Sequence, residues 1–190
     1  MRRPAAKECR RPPAIVRKAG MSMNQRYHFC PQCGGKLRYE TQDDRPRLTC
    51  QSCRQVLYEN PIVGVAAIVC NANGEILLGK RSPGGSYAGL WCIPCGYVEY
   101  DEDVRAAINR EFFEETGLQI ETGRVFTVLS NFHNPRVHTV GIWFEAKAVG
   151  GVLQAGDDLS EVAYFSLASI PPLAFPTDQI VIEMLRQARG

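Results

Sequence analysis

The run from Ile62 to Val69 carries no polar side chain and sits between turn formers, a pattern that predicts a strand. Asn71-Ala-Asn-Gly74 then predicts a hairpin turn into a second strand from Glu75 to Gly79. Apolar segments from Leu90 to Ile93, Arg124 to Ser130, Val137 to Val149 and Glu161 to Phe165 are further strands. An amphipathic helix from about Asp178 to Arg189 closes the chain. A second helix of about four turns is predicted before Gly117, with Asp101 as its N-cap and the acids Glu102 and Asp103 in its first turn. Helices alternating with strands predict an α/β fold, a mixed sheet covered on both faces. No internal repeat is present.

Polar positions on the central helix change the picture. At about 100° per residue from Val104, Ala107, Ile108, Glu111, Phe112 and Glu115 fall on one face, so two carboxylates lie inside the apolar stripe. A merely solvated acidic face would place them opposite Val104 and Ile108. Glu111, Glu114 and Glu115 also repel one another at helical spacing, and a divalent cation is the simplest compensation. A set of carboxylate oxygens suits magnesium or manganese.

The segment Gly96-Tyr-Val-Glu-Tyr-Asp-Glu102, seven further residues, then Arg110-Glu-Phe-Phe-Glu-Glu-Thr-Gly-Leu118 resembles the Nudix box of hydrolases that act on nucleoside diphosphates linked to another moiety. The resemblance implies an α/β/α sandwich. It also implies a magnesium or manganese site held by Glu111 and Glu115, with Glu114 and the Gly96 carbonyl assisting and Arg110 pairing with the glutamates. Bound metal would neutralise the pyrophosphate and lower the pKa of an attacking water. The general base comes from the box helix or from a later loop. Glu161, after Asp157-Asp-Leu-Ser, is the later acid placed to be an extra ligand or base, and its alternative reading is a surface charge at a strand edge.

Upstream, Cys30-Pro-Gln-Cys33 and Cys50-Gln-Ser-Cys53 are separated by sixteen residues, the spacing of a four-thiolate zinc ribbon. No apolar leader precedes them, so reduced thiols, a structural zinc and a cytoplasmic setting are expected over a pair of disulfides. Some thirty residues hold too little core to fold alone, so metal supplies the folding energy. Cys92 and Cys95 form a third Cys-x-x-Cys and read as small packing residues, with a disulfide beside Gly96 as the alternative. Cys70 reads as a strand-end hydrophobe.

The 190 residues, 45% hydrophobic, suffice for one core and an appendage, and no apolar run is long enough to span a membrane. The net charge of +2 hides an asymmetry: residues 1–26 hold eight Lys or Arg against one Glu, and the remainder fourteen against nineteen acids. A mildly acidic body argues against holding long nucleic acid. The Pro- and Arg-rich start has the composition of disorder, either a functionless extension before Met21 or Met23 or an organelle leader short of hydroxyl residues. The expected division is a basic tail over 1–28, a ribbon over 29–57 and a hydrolase domain over 58–190, with Tyr58-Glu-Asn-Pro61 as the linker.

NADH pyrophosphatases with a ribbon carry a Ser-Gln-Pro-Trp-Pro-Phe-Pro signature after the box, where this chain has Asn131-Phe-His-Asn-Pro-Arg136. From the ribbon to Leu173-Ala-Phe175 the chain is instead similar to the FAD and ADP-ribose pyrophosphatases of plant chloroplasts and bacteria, including Gly64, Gly89-Leu-Trp91 and Gly96-Tyr97. That implies a small nucleoside diphosphate substrate, FAD or ADP-ribose, and a homodimer. Ring stacking points to Tyr58, Phe132 and Phe175, and phosphate contact to Lys80 and Arg81, with core packing and solvated charge as the plain alternatives. His133 and His138 have no partner in sequence that would make either a catalyst. The rivals are removal of NAD caps from RNA, NADH hydrolysis, and a sensor or nucleic-acid-binding module without catalysis, which would not need three box glutamates.

Overall fold

The structure, a computed structural model, describes residues 26–189 apart from Asp43 and Arg136. The basic tail lies almost wholly outside the described residues. The chain divides into two compact units, one ending at Tyr58 and the other beginning at Glu59.

The first unit is a three-stranded antiparallel sheet of β1 (Leu37–Gln42), β2 (Arg45–Cys50) and β3 (Val56–Leu57). Its core is four buried residues, Cys30, Leu37, Leu48 and Cys50, two of them cysteines. So small an apolar core cannot offset the ordering entropy of the segment.

The second unit contains β4 (Ile62–Val69), β5 (Ile76–Arg81), β6 (Trp91–Cys92), β7 (Cys95–Tyr97), α1 (Val104–Thr116), β8 (Leu118–Asn131), β9 (Thr139–Gly151), β10 (Leu159–Phe165) and α2 (Pro176–Arg189). One sheet runs β7-β4-β9-β8, with β4 and β9 parallel and the other pairs antiparallel; a second, antiparallel, runs β10-β5-β6. Side chains of a strand point alternately to its two faces, and here both faces are covered. Val65, Ala67 and Val69 of β4, Leu77 of β5 and Phe144 of β9 pack with Ala107, Ile108 and Phe112 of α1. Ala66, Ile68, Ile76, Leu78 and Trp143 pack with Val181, Ile182 and Leu185 of α2. This is the expected α/β/α sandwich, and it explains the uninterrupted apolar run of β4. Phe112, fully buried, is one of its anchors; truncation to Ala would cost about 3–5 kcal/mol.

Four local expectations need correction. The N-cap of α1 is Asp103, whose carboxylate accepts the N–H groups of Arg105 (2.8 Å) and Ala106 (3.3 Å); Glu102 lies before the helix, drawn to Arg110. The Asn71 turn forms, yet β4 and β5 enter different sheets and share only the bridge between Cys70 and Ile76. The strand expected over Leu90 to Ile93 is limited to Trp91 and Cys92, because the Leu90 N–H turns back to the Tyr87 carbonyl and the Ile93 N–H goes to a side chain. β8 starts six residues early, directly after Gly117.

Candidate active site

Helix α1 ends at Gly117, in the left-handed region at φ 68°, its N–H donating to the Phe113 carbonyl. The segment after β9 satisfies the next carbonyls: Gly156 N–H reaches Glu115 O (3.0 Å), Gln154 reaches Thr116 O (2.9 Å) and Val152 reaches Gly117 O (3.3 Å). A Cβ on Gly156 would overlap the Glu114 carbonyl. This backbone cap carries Asp157 and Asp158 to the acidic face of α1.

Glu115 is almost completely buried, and its Oε2 accepts the Cys95 N–H at 2.8 Å. Burial, then the neighbouring Cys95 and Asp158, hold its carboxyl well above the usual carboxylate range. Glu111 packs on the backbone of Gly96, where any Cβ would overlap its carboxyl group. Burial raises its pKa against the opposing pull of Arg110, and Asp157 adds to the rise. Arg110 grips Glu102 with two bonds of 2.8 Å, meets Glu111 at 2.9 Å and Glu114 at 3.0 Å, and donates to the Tyr97 carbonyl at 3.3 Å. One planar guanidinium thus fixes three glutamates and the loop after Gly96. Asp158 pairs through Oδ2 with Arg81 at 2.6 Å, while its buried Oδ1 finds no hydrogen-bond partner among the described residues.

These acids fit a hard divalent cation. Glu111 and Glu115 lie against Gly96 and Cys95 and resist ionisation, and the partly exposed Asp158, a neighbour of Glu115, has one oxygen that lacks a donor among the described residues. A bound cation would reverse both deficits.

Gly96 belongs to a strand clamped between buried carboxylates. The Cys95 N–H goes to Glu115, and the Ile93 N–H goes to Asp178 of α2 at 3.0 Å. Cys92 is fully buried with its thiol donating to the Gly79 carbonyl, and contact with Cys92, then burial, push the Cys95 thiol up. The buried Cys92 and the raised thiol of Cys95 favour packing over redox exchange.

The other candidates separate. Arg81 lies between Asp158 and the Phe175 ring, its Cζ 5.9 Å from the ring centroid. Lys80 pairs with Glu161, its cross-strand partner, at 3.3 Å on an exposed face. Phe132 stacks edge-on against His138, and Tyr58 lies in the ribbon unit beneath the Arg47 guanidinium. Asp157 and Asp158 were not singled out by sequence reasoning, and Glu102, read as a box position, was given no role in the site. The adjacent acids Asp157 and Asp158, following Gly156 and leading into a strand, were the available signal.

In the ribbon unit the ligand atoms of Cys30, Cys33, Cys50 and Cys53 all lie within 4.8 Å of one another. The Cys33–Cys50 and Cys30–Cys53 sulfur separations are 3.5 and 3.9 Å. Tetrahedral Zn–S bonds of about 2.3 Å place sulfurs about 3.8 Å apart, so the four thiolates fit zinc. The N–H groups of Cys53 and Ser52 point at Cys50 Sγ and hold that thiol down at about 6, ready to ligate. The two knuckles share one hydrogen-bond pattern, with Gly34 and Arg54 in equivalent left-handed positions.

Comparison with known proteins agrees with this geometry. The family profile described as the NUDIX domain matches residues 60–187, and that described as Nudix N-terminal, the zinc-ribbon segment, matches 28–59. The ADP-ribose pyrophosphatase of Methanocaldococcus jannaschii is 38% identical over 135 residues, covering 70% of this chain and 79% of that protein. The NAD-capped RNA hydrolase NudC of Pseudomonas aeruginosa PAO1 is 29% identical over 146 residues, 76% of this chain; the chain spans 50% of that relative's length. Among solved structures, a NUDIX hydrolase from Nitrosomonas europaea superposes with a TM-score of 0.73 at 27% identity, over 86% of this chain and 93% of that one. An ADP-ribose pyrophosphatase from Streptococcus suis gives 0.56 at 26% identity, over 69% and 94%. With its box residues gathered around Gly96 and α1, and a domain match over well more than half its length, this chain belongs to the Nudix hydrolase family.

Proposed function

We propose that the protein hydrolyses the pyrophosphate bond of a small nucleoside diphosphate derivative, ADP-ribose to AMP and ribose 5-phosphate or FAD to FMN and AMP, with magnesium or manganese. The observation that carries this reading is the pair of desolvated carboxyl groups, Glu111 and Glu115, held against Gly96 and Cys95 with Asp158 beside them and Arg110 and Arg81 as flanking cations, an arrangement that a bound cation would complete; the name of the Methanocaldococcus relative supports the substrate. The metal, when bound, supplies charge neutralisation and a more acidic water. Glu111, Glu115, Asp158 and the Gly96 carbonyl hold it, with Glu114 at the half-exposed margin. Arg110 keeps the glutamates in register, and Arg81 is the cation placed to meet a phosphate. Glu161 is the proposed general base; its exposed ion pair with Lys80 is weak and can open. Turnover of Glu161→Gln within about threefold of wild type would remove it, since a positioned base contributes roughly 10²- to 10⁴-fold.

The test is AMP release from ADP-ribose, FAD, NADH, NAD and diadenosine polyphosphates, beside Glu115→Gln. A lead of about tenfold for ADP-ribose or FAD, with the variant down by roughly 10²- to 10³-fold, supports the proposal; binding without turnover refutes it in favour of a sensor. The NudC relative favours a second reading, decapping of NAD-capped RNA. Failure to retain RNA at about 150 mM salt would remove that reading. A homodimer is also proposed, with half-exposed Val125 and Val128 on the edge strand β8 as available surface, and a monomer mass by light scattering would refute it.

A further inference from the structure

Three aromatic rings meet beside Arg81. Tyr87 lies edge-on to Phe175 (centroids 5.3 Å apart) and to His133 (5.7 Å), and His133 and Phe175 lie 6.0 Å apart with planes tilted by 33°. Tyr87 is 39% exposed, His133 is exposed and Phe175 half-buried, so apolar surface remains open to solvent. Only Phe175 touches a buried cluster. Tyr87 also holds a backbone conformation of φ 62°, which a bulky side chain seldom adopts. Hydrogen bonds on either side maintain it: Leu90 N–H donates to the Tyr87 carbonyl, Gly89 N–H to that of Arg81, and Arg81 Nε to that of Ser86. Asn131 Oδ1 accepts from the His133 main-chain N–H and contacts its ring nitrogen, which sets the imidazole plane. Strain retained at a half-exposed aromatic, in a loop anchored to Arg81, directs attention to this surface as a candidate site.

The place of these rings decides what they would take. Arg81 joins them to the acids: Nη1 is 2.6 Å from Asp158 and Cζ is 5.9 Å from the Phe175 centroid. The aromatic surface therefore begins no more than about 10 Å from the Asp158 carboxylate, adding one C–N bond to those contacts. A phosphate at the acids and a ring on this surface are separated by a span that a ribose bridges. We infer that Tyr87, His133 and Phe175 form the stacking surface for the aromatic base of the nucleoside diphosphate, with Arg81 between base and phosphates. This deepens the pyrophosphatase reading and rests on it for the substrate class. It makes Tyr87 and His133 specificity-determining.

The experiment combines steady-state kinetics on ADP-ribose and FAD with calorimetric titration of AMP and of ribose 5-phosphate, for wild type, Tyr87→Leu, Phe175→Leu and Tyr87→Phe. Loss of one stacking partner corresponds to roughly 5- to 150-fold. Tyr87→Leu should raise KM and weaken AMP by a factor in that range, with kcat within about threefold and ribose 5-phosphate binding unmoved. Tyr87→Phe, which restores the ring, should recover the affinity. Unchanged KM and AMP affinity in Tyr87→Leu would overturn the inference; that side chain is half-exposed, so the variant remains informative even where Phe175→Leu fails to fold. Wild-type inactivity on both substrates would instead refute the pyrophosphatase reading, and the AMP titration would still decide the stacking surface.

Discussion

Replacing Asp178 with Asn should flatten the pH dependence of stability of the second unit. Asp178 is buried in the first turn of α2, and desolvation pushes its pKa from 3.8 to about 7 although it accepts the Ile93 N–H. The Trp143 indole N–H lies near enough to favour its charged form but makes no hydrogen bond of good geometry. A folded pKa above the unfolded one means that the folded protein binds the proton more tightly. Its contribution is complete below about pH 4, declines as pH rises and is gone above about pH 7. That rise in pKa corresponds to about 4 kcal/mol, of which roughly 2–3 kcal/mol falls between pH 5 and pH 8. Asn keeps an oxygen for Ile93 and cannot ionise. Urea unfolding by tryptophan fluorescence suits the measurement, because the chain's two tryptophans, Trp91 and Trp143, both pack in the α2 core. Wild type should lose roughly 2–3 kcal/mol more than Asp178→Asn on going from pH 5 to pH 8. Parallel losses would show that the carboxyl is ionised in the fold and that its burial is relieved in a way the geometry does not contain.

Gly96→Ala should displace the Glu111 carboxyl and lower kcat/KM by roughly 10²-fold or more, with a melting temperature near wild type once the side chain has moved; full activity would show that Glu111 is not held against that backbone. Arg110→Lys keeps the charge but cannot reproduce the paired bonds to Glu102, so kcat should fall at least about tenfold, without recovery at higher metal concentration if geometry is what is lost. Chelation of zinc should unfold the ribbon, seen as loss of strand signal in far-ultraviolet circular dichroism together with metal release, while tryptophan fluorescence stays native; unaltered dichroism would mean that its four-residue core suffices.

Much of this fold was legible because each local signal agreed with the tertiary outcome. The bounds of β4 follow from its apolar run, since both of its faces meet a helix, and the box glutamates follow from carboxylates placed inside an apolar stripe. The misreadings have physical causes. Asp101 and Asp103 are equally good capping residues, and the choice was made by Arg110 drawing Glu102 out of the helix. Polar, exposed Gln119 and Glu121 hide the start of β8, which is stabilised by its ladder to β9. Asp157 and Asp158 reach the site because neighbouring N–H groups cap α1, and a main-chain function leaves no residue-type signature. Tyr87 looks like an ordinary loop residue until its backbone angle and ring neighbours are known.

The parallel pairing of β4 with β9, Ile62 opposite Thr139 through Val69 opposite Ala146, has a consequence for the order of assembly. Contacts between residues so far apart in sequence form slowly, because the intervening chain must first be closed into a loop. Helix α1 and the Gly96 turn are near neighbours in the chain and can associate early, whereas Asp157 and Asp158 arrive only with the end of β9. The proposed acid cluster is therefore completed late and lost early. Amide exchange at Gln154 and Gly156, whose N–H groups hold that segment to α1, should outpace exchange in β4, so that a molecule whose core is still closed can already have surrendered its activity.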